Sequence, residues 1–278
     1  MPELPETETI ARDLDASVRD SLISAVEVRK ADVLREVDAD TLAASVTNAR
    51  ITHVWRRAKL VVLDLLREDV ASHIVVQPRF TGGLLIDHGQ ASTADLAYVA
   101  VTLHLADGRR LHYRDVRRLG TVALMSPARF AKYSDALGIE PLDPMLGDTE
   151  FSVLVRASSR PIKIVLMDQR KLAGVGNIYA NEALWRAGID PSREASNLQE
   201  SETSALLASL REVLTASIAA RGTSFRDYRD ARGERGAFVE QLAAYGRGGE
   251  PCLRCGRRLI ATHAIDGRGT VFCATCQR

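Results

Sequence analysis

Pro2 and Glu3 are the neighbours with the plainest chemistry in this chain. Removal of the initiator methionine would leave Pro2 as a terminal secondary amine. An α-amino group titrates near roughly 7.7–8.0, so a useful fraction is unprotonated at neutral pH. Such an amine attacks carbon at the aldehyde oxidation level and forms an iminium, an electron sink of the Schiff-base kind. Glu3 supplies a carboxyl that can pass protons. A second constellation lies near the other end. Cys252, Cys255, Cys273 and Cys276 read C-x2-C-x17-C-x2-C. That spacing suits four thiolates on two knuckles of a ribbon around one tetrahedral zinc. Four protein ligands leave no open position, so the zinc is expected to be structural.

A third candidate is the run from Met167 to Glu182. Gly174 and Gly176 permit a tight turn with close backbone approach. Asn177 reads as the cap of a helix that continues from Ile178. A glycine turn feeding a helix N-terminus is a ready anion site. Lys59 and Lys163 belong to the five lysines among 37 basic residues. In a chain that defaults to Arg, each Lys is a candidate for its compact ammonium. The six histidines show no ligand spacing and receive no role.

These residues need elements to hold them. Residues 6–22 carry Ile10, Leu14 and Val18 on one helical face. From 23 to 125 the pattern is mainly β, with runs at 51–54, 60–66, 73–76, 84–87, 97–105, 110–114 and 121–125. Asp107-Gly108 between two such runs signals a hairpin. Many short strands with polar turns predict a β-sandwich, interrupted by a short helix over 34–44. Residues 139–144 read as linker. Beyond them the periodicity predicts helices over 150–157, 162–167, 177–186 and 197–221. A long loop over 221–249 follows, with a short helix near 237–244. The expected class is α+β: an N-terminal β-sandwich with an N-terminal helix over 1–135, a linker over 136–150, a helical domain over 151–248 and a zinc ribbon over 249–278.

Composition sets bounds. The chain is 46% hydrophobic and 26% charged, with a net charge of +1. No apolar run approaches the roughly 18 residues of a membrane span, and the N-terminus has no secretory core. A cytosolic protein is expected, where disulfides are improbable. Residues 151–278 hold 19 Lys+Arg against 13 Asp+Glu, while 1–150 hold 18 against 23. The basic half is suited to attract phosphate.

Pro2-Glu3-Leu4-Pro5-Glu6, the glycine turn and the four-Cys ribbon together resemble the bacterial formamidopyrimidine-DNA glycosylase family, which includes endonuclease VIII. Further matches are residues 55–59, 115–120, 221–228, 245–247 and 266–270, so the likeness runs the full length. The resemblance implies a helix–two-turn–helix in the helical domain, followed by a lesion-recognition loop. It implies a monomeric base-excision repair enzyme of the bacterial nucleoid that acts on duplex DNA with a damaged base or abasic site. Pro2 would attack the sugar C1′, Glu3 would donate a proton, and Glu6 would fix the N-terminus. The iminium would then permit β- and δ-elimination. Lys59 falls on a hairpin lysine that contacts the phosphate beside the lesion and aids elimination. Lys163 and Asn177 fall on phosphate-contacting positions. Arg268 falls on the arginine at the tip of the finger and completes the catalytic set.

The family fills the gap left by the flipped base with a Met, an Arg and a Phe. Here those positions fall on Phe80, Arg117 and Leu119. Leu can wedge a base step but loses ring stacking of about 1–3 kcal/mol per base. Thr7 replaces a usual Val. Oxidised purines are the expected substrates, on the start Glu-Leu-Pro-Glu and the loop 223–228. The alternatives are an oxidised-pyrimidine preference, as in endonuclease VIII, and a non-catalytic DNA-binding relative.

Overall fold

The computed structural model describes residues 2–278. They form two compact units: one built from residues up to 135 together with 220–237, the other from 136–219 with 238–278.

In the first unit, α1 (Leu4–Val18) buries the predicted face, Ile10, Leu14 and Val18. It starts two residues earlier than expected because Pro5 fits the first turn, where its missing N–H costs nothing. Nine strands follow: β1 (Ile23–Val28), β2 (Leu34–Arg35), β3 (Arg50–Arg57), β4 (Leu60–Arg67), β5 (Val70–Gln77), β6 (Gly82–Asp87), β7 (Val99–Leu105), β8 (Arg110–Asp115) and β9 (Thr121–Met125). They make a five-stranded sheet, β2-β9-β5-β4-β3, and a four-stranded sheet, β1-β7-β8-β6. The side chains of Leu63, Ile74, Val76 and Val122 from the first sheet share one core with Leu84, Val101, Leu103 and Leu111 from the second. This is the predicted sandwich. The Asp107-Gly108 hairpin is present, with Gly108 at φ +90°.

The helix expected over 34–44 is corrected. Leu34 pairs with Val122 in a parallel bridge. Glu36 then takes φ +61°, which ends any helical run. The helix proper, α2 (Ala39–Val46), starts where Asp38 accepts the Thr41 N–H at 2.7 Å. Two further helices, α3 (Thr93–Leu96) and α4 (Pro127–Asp135), complete this unit.

The second unit holds α5 (Asp148–Arg156), α6 (Ile162–Met167), α7 (Asn177–Ala187) and α8 (Glu200–Ala219), then a ribbon of β10 (Ile260–Thr262) and β11 (Thr270–Phe272). α8 is shorter than predicted: 195–197 form a 3-10 turn, and Arg221 at φ +62° lies outside the helix. The helix expected near 237–244 is a 3-10 turn, Phe238–Gln241.

Residues 220–237, expected with the helical domain, belong instead to the first unit. The reason is polar. Arg221 is held by Asp13 of α1 and by Asp230, and the Ile86 N–H donates to the Ala231 carbonyl at 2.9 Å.

Candidate active site

Pro2 and Glu3 are both buried at the start of α1. Glu3 is its N-cap, and Glu3 and Glu6 form a reciprocal capping box. In it the Glu3 N–H donates to Glu6 Oε2 at 2.8 Å, which satisfies helix-end groups that have no partner within the helix. Glu6 Oε1 accepts the Thr223 N–H at 2.8 Å. The Tyr228 hydroxyl lies 3.2 Å from the Arg221 carbonyl and 3.4 Å from that of Glu6. One carboxylate thus ties the residue beside Pro2 to the loop 220–237. Gly222 is required between them. It sits at φ +85°, and a Cβ there would meet Glu6 Cγ and Tyr228 Cε1 at 3.0 Å.

Lys59 lies in the two-residue turn between β3 and β4. The preceding Ala58 adopts φ +54°, a left-handed conformation that costs a residue with a Cβ roughly 1–2 kcal/mol. Arg56 reaches this turn. Its Nε donates to Glu8 Oε2 at 2.7 Å and its guanidinium to the Ala58 carbonyl at 3.1 Å. The Thr7 hydroxyl lies 2.8 Å from the Glu3 carbonyl and 3.5 Å from that of Ala58. The Thr for Val replacement therefore adds a hydroxyl that bonds first within its own helix turn, with the hairpin carbonyl at the edge of reach.

The three void-filling candidates occupy two loops of the same unit. Phe80 and Leu119 are 46% and 40% exposed, and the Arg117 guanidinium lies 5.0 Å from the Phe80 ring centre. Buried Asp115 organises both loops. It accepts the Thr81 hydroxyl at 2.5 Å, the Gly120 N–H at 2.8 Å and the Arg117 N–H at 3.2 Å. The Tyr113 hydroxyl donates to it at 3.2 Å, and burial, reinforced by the Asp115 charge, pushes that phenol up. Beside these loops, a cleft of about 300 Å³ runs between Thr81–Leu85 and residues 226–233, with Arg114, Arg226 and Asp227 on its walls.

In the second unit, Lys163, Asn177 and the loop carrying Arg268 meet. The Lys163 side chain is 0% exposed. Its Nζ donates to both Asp266 oxygens at 3.2 Å and to the Thr270 hydroxyl at 2.7 Å. Burial pulls its pKa below the usual lysine value, against the opposing pull of Asp266. Lys163, expected to face a phosphate, here has its ammonium buried against Asp266 and Thr270. Asp266 Oδ1 in turn accepts the Arg268 N–H at 3.0 Å. Asn177 is the first residue of α7 and not its cap, which is Gly176. The Asn177 amide donates to the Gly269 carbonyl at 3.0 Å. Arg268 itself is exposed at the tip. Lys163→Met would leave Asp266 without its ammonium. Breaking a buried pair this way typically costs 3–5 kcal/mol. Asp266 keeps some contact with water, so a loss of about 3 kcal/mol is expected in denaturant unfolding of the zinc-loaded protein.

The four cysteine sulfurs lie within 4.8 Å of one another. Burial opposes ionisation of Cys252, but the Arg254 and Cys255 N–H groups pull its thiol down to about 6. Hydrogen bonding to Cys255 pushes Cys276 up to about 12. Four sulfurs so crowded compete for charge, and a tetrahedral dication relieves that competition. These residues fit one structural zinc. The site is carried by α7: Asn181 Oδ1 accepts the Val271 N–H at 2.7 Å. Buried Glu182 accepts the N–H groups of Ala243, Ala244 and Tyr245 at 2.7–2.9 Å.

Glu8, Arg56, Asp115, Glu182 and Asp266 hold these sites without having been singled out in the sequence. Arg56, Asp115, Glu182 and Asp266 fell within segments that the sequence marked out, but Glu8 did not. Partners such as Arg56 and Glu8, 48 positions apart, leave no local pattern. Among the described residues, no helix is long and apolar enough to cross a membrane.

Comparison with known proteins agrees across the chain. Residues 1–122 match the family model of the formamidopyrimidine-DNA glycosylase N-terminal domain. Residues 137–229 match that of its H2TH domain, and 249–278 match the zinc finger found in FPG and IleRS. The formamidopyrimidine-DNA glycosylase of Desulfitobacterium hafniense is 38% identical over 279 residues, covering 100% of both chains. That of Moorella thermoacetica is 41% identical over 93% of each. Lactococcus lactis Fpg, solved in complex with DNA containing an abasic site, superposes with a TM-score of 0.90 at 31% identity over 99% of each chain. The wild-type Lactococcus enzyme in complex with DNA containing an oxidised pyrimidine gives 0.89 at 30% over 100% of each. With its domains matched in order and relatives of this identity along its whole length, the chain belongs to the formamidopyrimidine-DNA glycosylase family.

Proposed function

We propose that this protein is a bifunctional DNA glycosylase and abasic-site lyase that removes oxidised purines during base-excision repair. The observation that carries the reading is the buried Pro2–Glu3 pair, which Glu6 ties to the loop 220–237. Once Met1 is removed, the Pro2 nitrogen attacks C1′ of the damaged nucleotide. The C1′–N bond to the base breaks, and a proton from Glu3 supports the opening of the sugar. The resulting iminium acidifies C2′, so β- and then δ-elimination expel the 3′ and 5′ phosphates and cut the strand on both sides. Lys59 contacts the adjacent phosphate. Phe80, Arg117 and Leu119 fill the space the flipped base leaves, a flip that costs least at a damaged pair. The cleft beside Thr81 and residues 226–233 is the candidate receiver of that base.

Asn177 and Arg268 contact backbone phosphates, which positions the enzyme without reading sequence. Arg268→Ala should weaken binding to damaged and undamaged duplex alike. It should flatten the slope of log affinity against log salt by about one unit. Asn177→Ala removes a neutral donor, so affinity should fall with little change in slope. If Arg268→Ala changed neither, the ribbon would be a cap with no part in DNA binding.

The functional assignment is tested with duplexes that each carry one lesion. Oxidised purines, 8-oxoguanine and formamidopyrimidines, should be excised with strand cleavage at both phosphates. A clear preference for oxidised pyrimidines would overturn the purine assignment, and binding without excision would overturn the enzymatic one.

A further inference from the structure

We propose that Arg56, clamped by Glu8, is a positioning residue for Lys59. It fixes the Ala58 carbonyl and thereby the direction in which the hairpin presents the lysine ammonium during strand cleavage. The inference rests on the proposed role of Lys59, which contacts the phosphate beside the lesion and aids its elimination.

Three observations carry it. First, the turn leaves little slack. It has two residues, Ala58 is 3% exposed, and its φ of +54° is one that glycine would take more readily. Such a conformation persists where surrounding contacts over-determine it. Second, Arg56 is built in and not draped on the surface. Its side chain is 9% exposed, against 66% for Arg12, the other arginine paired with Glu8. Third, two of its hydrogen bonds run to different elements. One joins Glu8 of α1, the helix that Glu3 caps; the other joins the carbonyl directly before Lys59. A planar guanidinium holds such divergent acceptors in fixed directions, which a lysine ammonium does not. Glu8 is itself restrained, since its other oxygen accepts from Arg12 at 2.6 Å. A continuous chain of bonds thus links the helix bearing Pro2 and Glu3 to the turn bearing Lys59.

The test is a double-mutant cycle in the full, zinc-loaded protein. Single-turnover cleavage of a duplex with a pre-formed abasic site is measured for Arg56→Ala, Glu8→Gln, Lys59→Ala and Arg56→Ala/Lys59→Ala. Duplex affinity and melting temperature are measured beside it. Misplacing a reacting group by about 1 Å can cost on the order of 100-fold, so Arg56→Ala should slow cleavage about 10- to 100-fold. Glu8→Gln should do the same more weakly. In the Lys59→Ala background, Arg56→Ala should cost less than about twofold more, because both changes act through one group. A merely structural role would make the two losses multiply, and that result overturns the proposal. So does normal cleavage by a folded Arg56→Ala protein. Should Arg56→Ala fail to fold, Glu8→Gln replaces it in the cycle. Slow cleavage by Lys59→Ala with normal cleavage by Arg56→Ala removes only the role of Arg56. Normal cleavage by Lys59→Ala removes the reading of Lys59, and this inference with it.

Discussion

Pro2→Gly is expected to lose most of the covalent complex that borohydride traps on lesion-bearing or abasic DNA. Borohydride reduces an iminium to a stable amine, so trapping reports the bond between enzyme and sugar C1′ directly. In the wild-type protein, a peptide map should place the DNA on Pro2. Mass spectrometry of the purified N-terminus should show Met1 absent, since a retained methionine would lock the nitrogen in a peptide bond. Glu3→Gln separates the proton from the nucleophile. It keeps size and polarity but cannot ionise. The variant should bind lesion DNA nearly normally and lose base excision by about 10²- to 10⁴-fold, the usual contribution of a positioned acid or base. A pre-formed abasic site needs no base removal, so strand cutting there should be less impaired. An adduct on a lysine with undiminished trapping in Pro2→Gly would sink the nucleophile assignment. Normal 8-oxoguanine excision by Glu3→Gln would sink that of the proton donor.

Much of this architecture is readable from residue order because it rests on local chemistry. The α1 face follows from Ile10, Leu14 and Val18, the hairpin from Asp107-Gly108, and the metal site from paired cysteines. What is illegible depends on distant partners. Leu34 looks helical in its own window, yet its backbone pairs with Val122. α4 buries only Phe130, too weak a stripe for periodicity to register. The placement of 220–237 turns on Arg221 finding Asp13, 208 positions away. The same limit holds in the site. Pro2, Glu3 and Lys59 stand out by type and motif, while Arg56, in the same matched segment as Lys59, and Glu8 are ordinary charges by type until the fold pairs them. Lys163 shows the converse. Its motif position suggests an open cation, but Asp266 and Thr270 hold its ammonium, whereas Arg268 stays exposed at that tip.

Loss of zinc is expected to unfold the ribbon and leave the rest of the chain standing. Residues 249–278 bury a handful of apolar side chains, chiefly Leu259 and Val271, packed with Trp185, Ala243 and Ala244. A segment this small has no core sufficient to fold alone. Metal binding therefore supplies its folding free energy, about 10–16 kcal/mol for structural zinc in comparable peptides near neutral pH. Cys252→Ser replaces a buried thiolate ligand with a hydroxyl that zinc binds poorly. The consequences should spread along specific bonds. The Thr270 hydroxyl and Asp266 would leave Lys163, the Gly269 carbonyl would leave Asn177, and the tip would cease to present Arg268 in one orientation. DNA affinity should fall at least as far as in Arg268→Ala, with a similarly flattened salt slope. The sandwich should keep its melting transition, because its core draws on no ribbon residue. Elemental analysis should return one zinc per chain, and chelation should reproduce the Cys252→Ser phenotype reversibly. A chelated, metal-free protein that retained wild-type affinity and cleavage would show that the ribbon folds by other means.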